Sequence, residues 1–123
     1  DHREVILTGF GEGNQQLRIN GIYWGLDGWV YAANGRSAGL VRRPADPAES
    51  AVPLGQRDLR FRPEDGSFEP IAGFSQFGIC IDDWGNRFLC SNSNHIVHVV
   101  WPLEYLERNP LLTPPSATRS IAT

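Results

Sequence analysis

One phrase occurs twice in this chain, and it constrains the fold more than any other feature. GIYWGLDGWVYAANG (residues 21–35) aligns without gaps on GICIDDWGNRFLCSN (residues 78–92). Gly21 falls on Gly78, Ile22 on Ile79, Gly28 on Gly85 and Tyr31 on Phe88, at a constant offset of 57 residues. Each copy reads as an apolar strand, a glycine-centred turn, a second strand with an aromatic near its middle, and an Asn-rich exit. Asp-Gly supplies the positive φ angles of a tight turn, so each copy predicts a β-hairpin. Ile22-Tyr23-Trp24 and Ile96-Val97 are apolar on consecutive residues, the pattern of strands covered on both faces.

Between the copies, RDLRFRPEDGSFEPIAGF (57–74) predicts another hairpin about Glu64-Asp65-Gly66. Leu59 and Phe61 alternate with Arg60 and Arg62, which suits a half-exposed pair. The first unit therefore has strands near 19–26, 29–33, 57–62 and 67–72. The second has strands near 77–82, 87–91 and 95–101. Four antiparallel strands repeating at this spacing mark a β-propeller blade. The expected fold is all-β: about two four-stranded antiparallel blades of a propeller, blade 1 spanning about 19–74 and blade 2 starting near 77. The competing reading is one β-sandwich or meander with two similar hairpins. Two blades do not close a ring of about four to eight, so the remaining blades lie elsewhere or several copies assemble. Residues 43–56 form a Pro/Ala-rich insert, 102–110 hold a helical turn after Pro102, and 111–123 read as an extended Pro-rich tail beyond the partial propeller of 1–110.

Composition narrows the function classes. The 123 residues carry a net charge of −3, which argues against a nucleic-acid surface. All 11 basic residues are Arg, which fits codon bias. No apolar run reaches the about 20 residues of a membrane span. The chain lacks Met and opens on DHREVILTGFG, as a processed chain or an excised piece would.

In a propeller the 27–28 and 84–86 turns fall on one rim. Residues 11–20, 34–39, 75–76 and 91–95 fall on the other, beside the channel. That second rim gathers Gln15, Gln16, Arg18, Asn34, Arg36, Gln76, Asn92 and His95. Amides and guanidinium forks at a channel mouth suit a small ligand rich in carbonyls, hydroxyls or carboxylates, although Asn, Ser and Gly also simply make turns. Trp24, Trp29, Trp84 and Trp101 would offer sugar-stacking faces if exposed, but their apolar surroundings place most in the core. Asp82, Asp83 and Asn86 offer oxygens for Ca²⁺ or, more commonly, cap a turn. His95 and His98 lie on opposite sides of a strand, and neither a zinc cluster nor a phosphate loop is present. Cys80 and Cys90 are symmetric about Gly85. A three-residue turn at 84–86 places them opposite each other, at a cross-strand Cβ separation of about 4.5–5.5 Å, near disulfide range. A Cys80–Cys90 disulfide implies an oxidising compartment, and two buried thiols are the alternative.

GFGEGNQQLRINGIYWGLDGWVYAANG and FGICIDDWGNRFLCSNSNH resemble the propeller of the large membrane-bound dehydrogenases of Planctomycetes and related bacteria. Those are similar in turn to soluble quinoprotein sugar dehydrogenases, six-bladed propellers that use pyrroloquinoline quinone (PQQ). The resemblance covers residues 8–110. It implies an exported protein, periplasmic or at the cell surface, with PQQ and Ca²⁺ as cofactors and Arg18 and Arg36 meeting cofactor carboxylates. The family's His base falls near Leu17, which accepts no proton; Gln16 or a residue of another blade would have to replace it. Three functions compete: part of a quinoprotein sugar or alcohol dehydrogenase, a non-catalytic propeller binding carbohydrate or a protein partner through the same rim, and blades that only complete a ring.

Overall fold

The computed structural model describes residues 1–122. Eleven strands and one short helix follow in order: β1 Thr8–Phe10, β2 Asn20–Trp24, β3 Val30–Ala33, β4 Gly39–Arg42, β5 Val52–Pro53, β6 Asp58–Phe61, β7 Phe68–Ile71, β8 Ile79–Ile81, β9 Arg87–Leu89, β10 Val97–Val99, α1 Leu103–Leu106 and β11 Thr118–Ser120. Every strand pairing is antiparallel. The chain is all-β, as its sequence predicts.

The first repeat builds a central sheet of order β2-β3-β6-β7. Its inner hairpin turns at Asp27-Gly28, where Gly28 takes φ +79 and Asp27 Oδ1 accepts the Trp29 amide at 3.1 Å. The second repeat builds a sheet of order β8-β9-β10-β11. Its turn is held by Asp82, which accepts the Trp84 and Asn86 amides and the Asn86 side chain. These bonds hold the Asp82 carboxyl below the usual carboxylate range, the Asn86 side-chain bond foremost. Asp82 is thus a turn cap.

Three expectations need correction. The hairpin pivots on Trp84, not Gly85: Ile79 faces Leu89 and Cys80 faces Phe88, which puts Cys90 beyond the paired strands. Both cysteines are free thiols, and the Cys90 thiol donates to the Phe77 carbonyl at 3.2 Å. A two-residue shift in the ladder removes the disulfide. Second, the Pro-rich tail is not all connector, because Thr118–Ser120 returns as the fourth strand of the second sheet, antiparallel to β10. Third, the 43–56 insert is part of a small sheet of order β1-β4-β5.

The three sheets stack in an open series. Val41 of β4, Leu54 and Leu59 of β6 are buried together, with Phe10, Ile19, Phe61 and Phe68 around them, between the small and central sheets. Ala33 of β3, Ile79 of β8 and Leu89 of β9 are buried between the central and second sheets, flanked by Tyr31, Ile81, Val97 and Val99. The central sheet is covered on both faces along β3 and β6. Its edge strand β2 is not: Ile22 and Trp24 are exposed.

The central and second sheets approach most closely at their edge strands. Gly21, at φ +59, sits so near the second repeat that a Cβ would lie 2.3 Å from the Gly78 Cα. Glycine is required there by both backbone angle and contact. Tyr23 reinforces the seam by donating from its hydroxyl to the Ile81 carbonyl at 3.3 Å.

Candidate ligand-binding groove

Four loops meet at the end of the sheets opposite the two glycine turns. Asn14 caps a short 3₁₀ turn, Gln15–Leu17, by accepting the Gln16 amide at 3.0 Å. The chain then passes Arg18 and Ile19 into β2. A Cβ on Gly35 would lie 1.9 Å from the Arg18 carbonyl oxygen, so the 34–36 turn presses against this segment. Gly35 in turn donates to the Ser75 carbonyl. Asn20 Nδ2 donates to the Arg18 and Gln76 carbonyls, both at 2.9 Å. Gln76 Oε1 accepts the Asn92 amide at 3.3 Å. Loops separated by more than fifty residues are thereby sewn into one rim.

A groove of about 440 Å³ opens there, lined by Gln15, Gln16, Arg18, Ile19, Asn20, Phe77 and Asn92. Of the eight rim residues predicted from sequence, Gln15, Gln16, Arg18 and Asn92 line it. Gln76 lies beneath as a buried support. The other three do not line the groove. Asn34 is buried and spends its side chain on the backbone, donating to the Gly55 and Arg57 carbonyls and accepting the Ala38 amide. Arg36 is turned over the Phe74 ring, 5.5 Å from its centre. His95 is exposed in the loop before β10.

Sequence reading missed Phe77, a residue 43% exposed that lines the groove. Its signal was its place directly before the second repeat's glycine strand. The tryptophans behave contrary to expectation. Trp24, Trp84 and Trp101 are exposed, Trp84 to 85%, while Trp29 is half-buried under the Arg60 and Arg62 guanidinium groups at 4.6 and 4.5 Å. None of them lines the groove.

The polar hub beneath the rim is Asp58, fully buried at the start of β6. Its Oδ1 accepts the Asn34 and Ser75 amides, each at 2.9 Å. Its Oδ2 is buried without a hydrogen-bond partner among the described residues, as is Nη1 of Arg87 on β9. Burial pushes the Asp58 carboxyl up, against the two amide bonds and the Arg87 charge, which pull it down. Burial likewise lowers the Arg87 guanidinium, with Asp58 opposing.

Near the glycine turns the charges pair with one another. Tyr31 donates to Asp27 Oδ2 at 2.7 Å, and Arg60 Nε donates to Glu69 Oε1 at 2.7 Å. Arg60 Nη1 reaches both Asp27 and the Tyr31 oxygen, at 3.4 and 3.3 Å. Arg87 lies over the Tyr31 ring and donates to the Ala72 carbonyl. Burial foremost, then the Asp27 bond, raises the Tyr31 phenol above its ordinary value. A cavity of about 280 Å³ beside this network is lined by Tyr31, Arg60, Arg87 and α1. Tyr31 and Arg60 are engaged with Asp27 and Glu69, and Arg87 joins β9 to the Ala72 carbonyl, so the cavity lies along the seam between sheets.

One family model matches residues 1–123 from end to end. The chain belongs to the DUF7133 family, described as a domain of unknown function. No curated protein and no solved structure matches it. The groove is lined by four side-chain amides, one guanidinium and one exposed aromatic residue, with no carboxylate among its lining residues. Arg18 already donates to the Glu12 carbonyl at 3.0 Å, leaving part of its fork for a ligand. Such a set orients hydroxyl and carbonyl groups. It contains no base to remove a proton.

Proposed function

We propose that this chain contributes two blades of a β-propeller and binds a neutral, polyhydroxylated ligand of the carbohydrate class through its rim groove. The blade reading draws support from two meander sheets, packed face to face and related by the 57-residue repeat. The ligand reading rests on one observation: Gln15, Gln16, Asn20 and Asn92 line the same groove as the exposed Phe77. Amides that donate and accept around an apolar ring face match the alternating hydroxyls and C–H faces of a sugar.

The quinoprotein reading uses the same rim, and the residues there do not fit it. A tricarboxylate cofactor needs several cationic contacts. Arg18 alone lines the groove, and Arg36 leans over Phe74. Protein Ca²⁺ sites combine carboxylates with carbonyl oxygens, and no carboxylate lines the groove. The position for the base holds Leu17. Export, with a periplasmic or cell-surface location, rests on the resemblance alone, because the disulfide that would have supported it is absent.

The test is an NMR titration of the ¹⁵N-labelled chain with a panel of neutral oligosaccharides, and separately with PQQ plus Ca²⁺. Saturable shifts at Gln15, Gln16, Arg18, Phe77 and Asn92 with a glycan are expected. Phe77→Ala should weaken that binding by roughly two- to tenfold, the worth of one aromatic contact. Unmoved groove resonances with every glycan at about 10 mM, a concentration that reveals even millimolar affinity, would sink the ligand reading. Saturable binding of PQQ instead would replace it with the quinoprotein one.

A further inference from the structure

The series of stacked sheets is open at the second sheet, whose far face carries apolar side chains. Along β10, Val97 and Val99 point into the core shared with the central sheet. Ile96 and His98 alternate with them and point outward. Cys80, Phe88, His98 and Arg119 are paired across the four strands and form one row of that outer face. Phe88 and His98 stack there with ring centres 5.0 Å apart. Ile96 and Ile121, joined by the bond from the Ile121 amide to the Ile96 carbonyl, stand beside the row, 45% and 53% exposed. The helix α1 leaves this face free, since Leu103 lines the cavity at the seam with the central sheet and Glu107 Oε1 lies 3.7 Å from Arg57 Nη1, just before β6.

The repeat shows what such a face meets. Cys80 and Phe88 occupy the places that Tyr23 and Tyr31 hold 57 residues earlier. In the central sheet those places face the next sheet: Tyr31 packs on the cluster of Ala33, Ile79 and Leu89, and the Tyr23 hydroxyl donates to the Ile81 carbonyl. Gly78 likewise repeats Gly21. A Cβ on Gly21 would strike the Gly78 Cα, whereas one on Gly78, itself at φ +103, would meet nothing among the described residues nearer than the Gly21 Cα at 3.9 Å. The space that the second sheet fills over Gly21 is thus vacant over Gly78. The apolar row and the glycine both continue an interface that the chain makes once already. That interface joins two unlike faces, so the same face of a second copy does not repeat it. The unlike face of a second copy, which carries Ile22 and Trp24, is already covered by the small sheet over Leu59, Phe61 and Phe68, so a whole sheet does not fit against it.

We propose that the outer face of the second sheet, with Phe88, Ile96, Ile121 and Gly78, docks a further antiparallel sheet of the same repeat type from outside these 123 residues. That partner carries a glycine over Gly78 and aliphatic side chains at the places that Ile79, Ile81 and Leu89 hold in the second sheet. The proposal rests on the blade reading and names what its open side meets. It is independent of the groove and its ligand. A sheet packed there, about 10 Å away, buries Cys80, which is exposed in this chain.

The test extends the whole chain at its C-terminus by a further copy of residues 72–123, the segment that follows β7 and builds the second sheet. The appended copy carries Cys80→Ser and Cys90→Ser, so that the original thiols are read alone. Peptide-resolved alkylation should show the original Cys80 slowed by about tenfold or more relative to the unextended chain, because thiol reactivity follows exposure. Ile96→Lys or Ile121→Lys in the original segment should restore the rate, and in the unextended chain neither should change the melting temperature. An equally reactive Cys80 in the extended chain overturns the proposal. So does a slowed Cys80 that neither lysine restores, which places the appended sheet elsewhere. Slowing that appears in the unextended chain as its concentration rises also overturns it, by giving the face to a second copy. Nuclear Overhauser contacts between Gly21 and Gly78 in the unextended chain report the stacking of its own two sheets. Their absence refutes the blade reading and this proposal with it; their presence beside an unprotected Cys80 in the extended chain refutes this proposal alone.

Discussion

Removing the Asp58 carboxylate tests the interior of the molecule most directly. Asp58→Ala strips Oδ1 from the buried Asn34 and Ser75 amides and removes the carboxylate that most strongly opposes the desolvation of Arg87. Deleting one member of a buried charged set costs about 3–5 kcal/mol, because the partners stay buried and unsatisfied. For 123 residues the whole stability is on the order of 6–18 kcal/mol, so the melting temperature should fall by roughly 10–20 °C. Asp58→Asn keeps an oxygen for both amides and sheds the cost of burying a charge, so its loss should be smaller, about 1–2 kcal/mol. The carboxyl is raised in the folded state, so the folded chain holds its proton more tightly than the unfolded chain. The corresponding stability is present in full below the unfolded carboxylate range and is lost as pH rises through the folded value. Asp58→Asn should flatten that part of the pH–stability profile. Urea unfolding followed by circular dichroism, from pH 3.5 to 7.5, measures both effects. An Asp58→Ala chain within about 1 kcal/mol of wild type would refute the hub, since surface changes of that size are common.

Gly35→Ala should cost more than 1 kcal/mol, because φ +71 strains any L side chain and a Cβ would overlap the Arg18 carbonyl; groove resonances should shift in its NMR spectrum, and a silent substitution would show the rim to be looser than described. Thiol titration should find two free sulfhydryls in the unfolded chain without reductant, and reductant should leave the melting temperature unchanged; absence of free thiol would restore the cross-strand bond. Glycan affinity should change less than about twofold between 0.05 and 1 M NaCl, because Arg18 is the groove's one charge and neutral hydrogen bonds are little screened. A steep loss with salt would instead mean an anionic ligand.

The sheets were legible because their signals are local. Asp27-Gly28 and Glu64-Asp65-Gly66 announce turns, apolar runs flank them, and the strands formed within about two residues of where the pattern put them. The repeat also foretold that 15–20 and 92 meet. What failed depended on register or on distant partners. Whether Cys80 faces Phe88 or Cys90 turns on Asp82 bonding across to Asn86, which shifts the hairpin by two residues. Asn34 looks like a rim ligand because nothing near it in sequence discloses Gly55, Arg57 and Asp58 as its partners. Thr118–Ser120 joins a sheet through pairing alone, with no apolar alternation to betray it. The tryptophans were misplaced by the same logic in reverse: an apolar run signals burial only when a neighbouring layer exists to supply it.

The placement of charge explains why the two ends of the stack differ chemically. At the glycine-turn end, Asp27, Arg60, Glu69 and the Tyr31 hydroxyl are engaged with one another, and Arg87 is held against the Tyr31 ring. Of these, Arg87 crosses from the second sheet to the central one, over the Tyr31 ring and to the Ala72 carbonyl. At the other end the same strands emerge into amides, whose geometry is set from below by Asp58 through Ser75 and Gln76. The groove thus inherits its shape from a buried carboxylate while showing almost no charge itself. A site of that kind selects by the direction of hydrogen bonds more than by net charge.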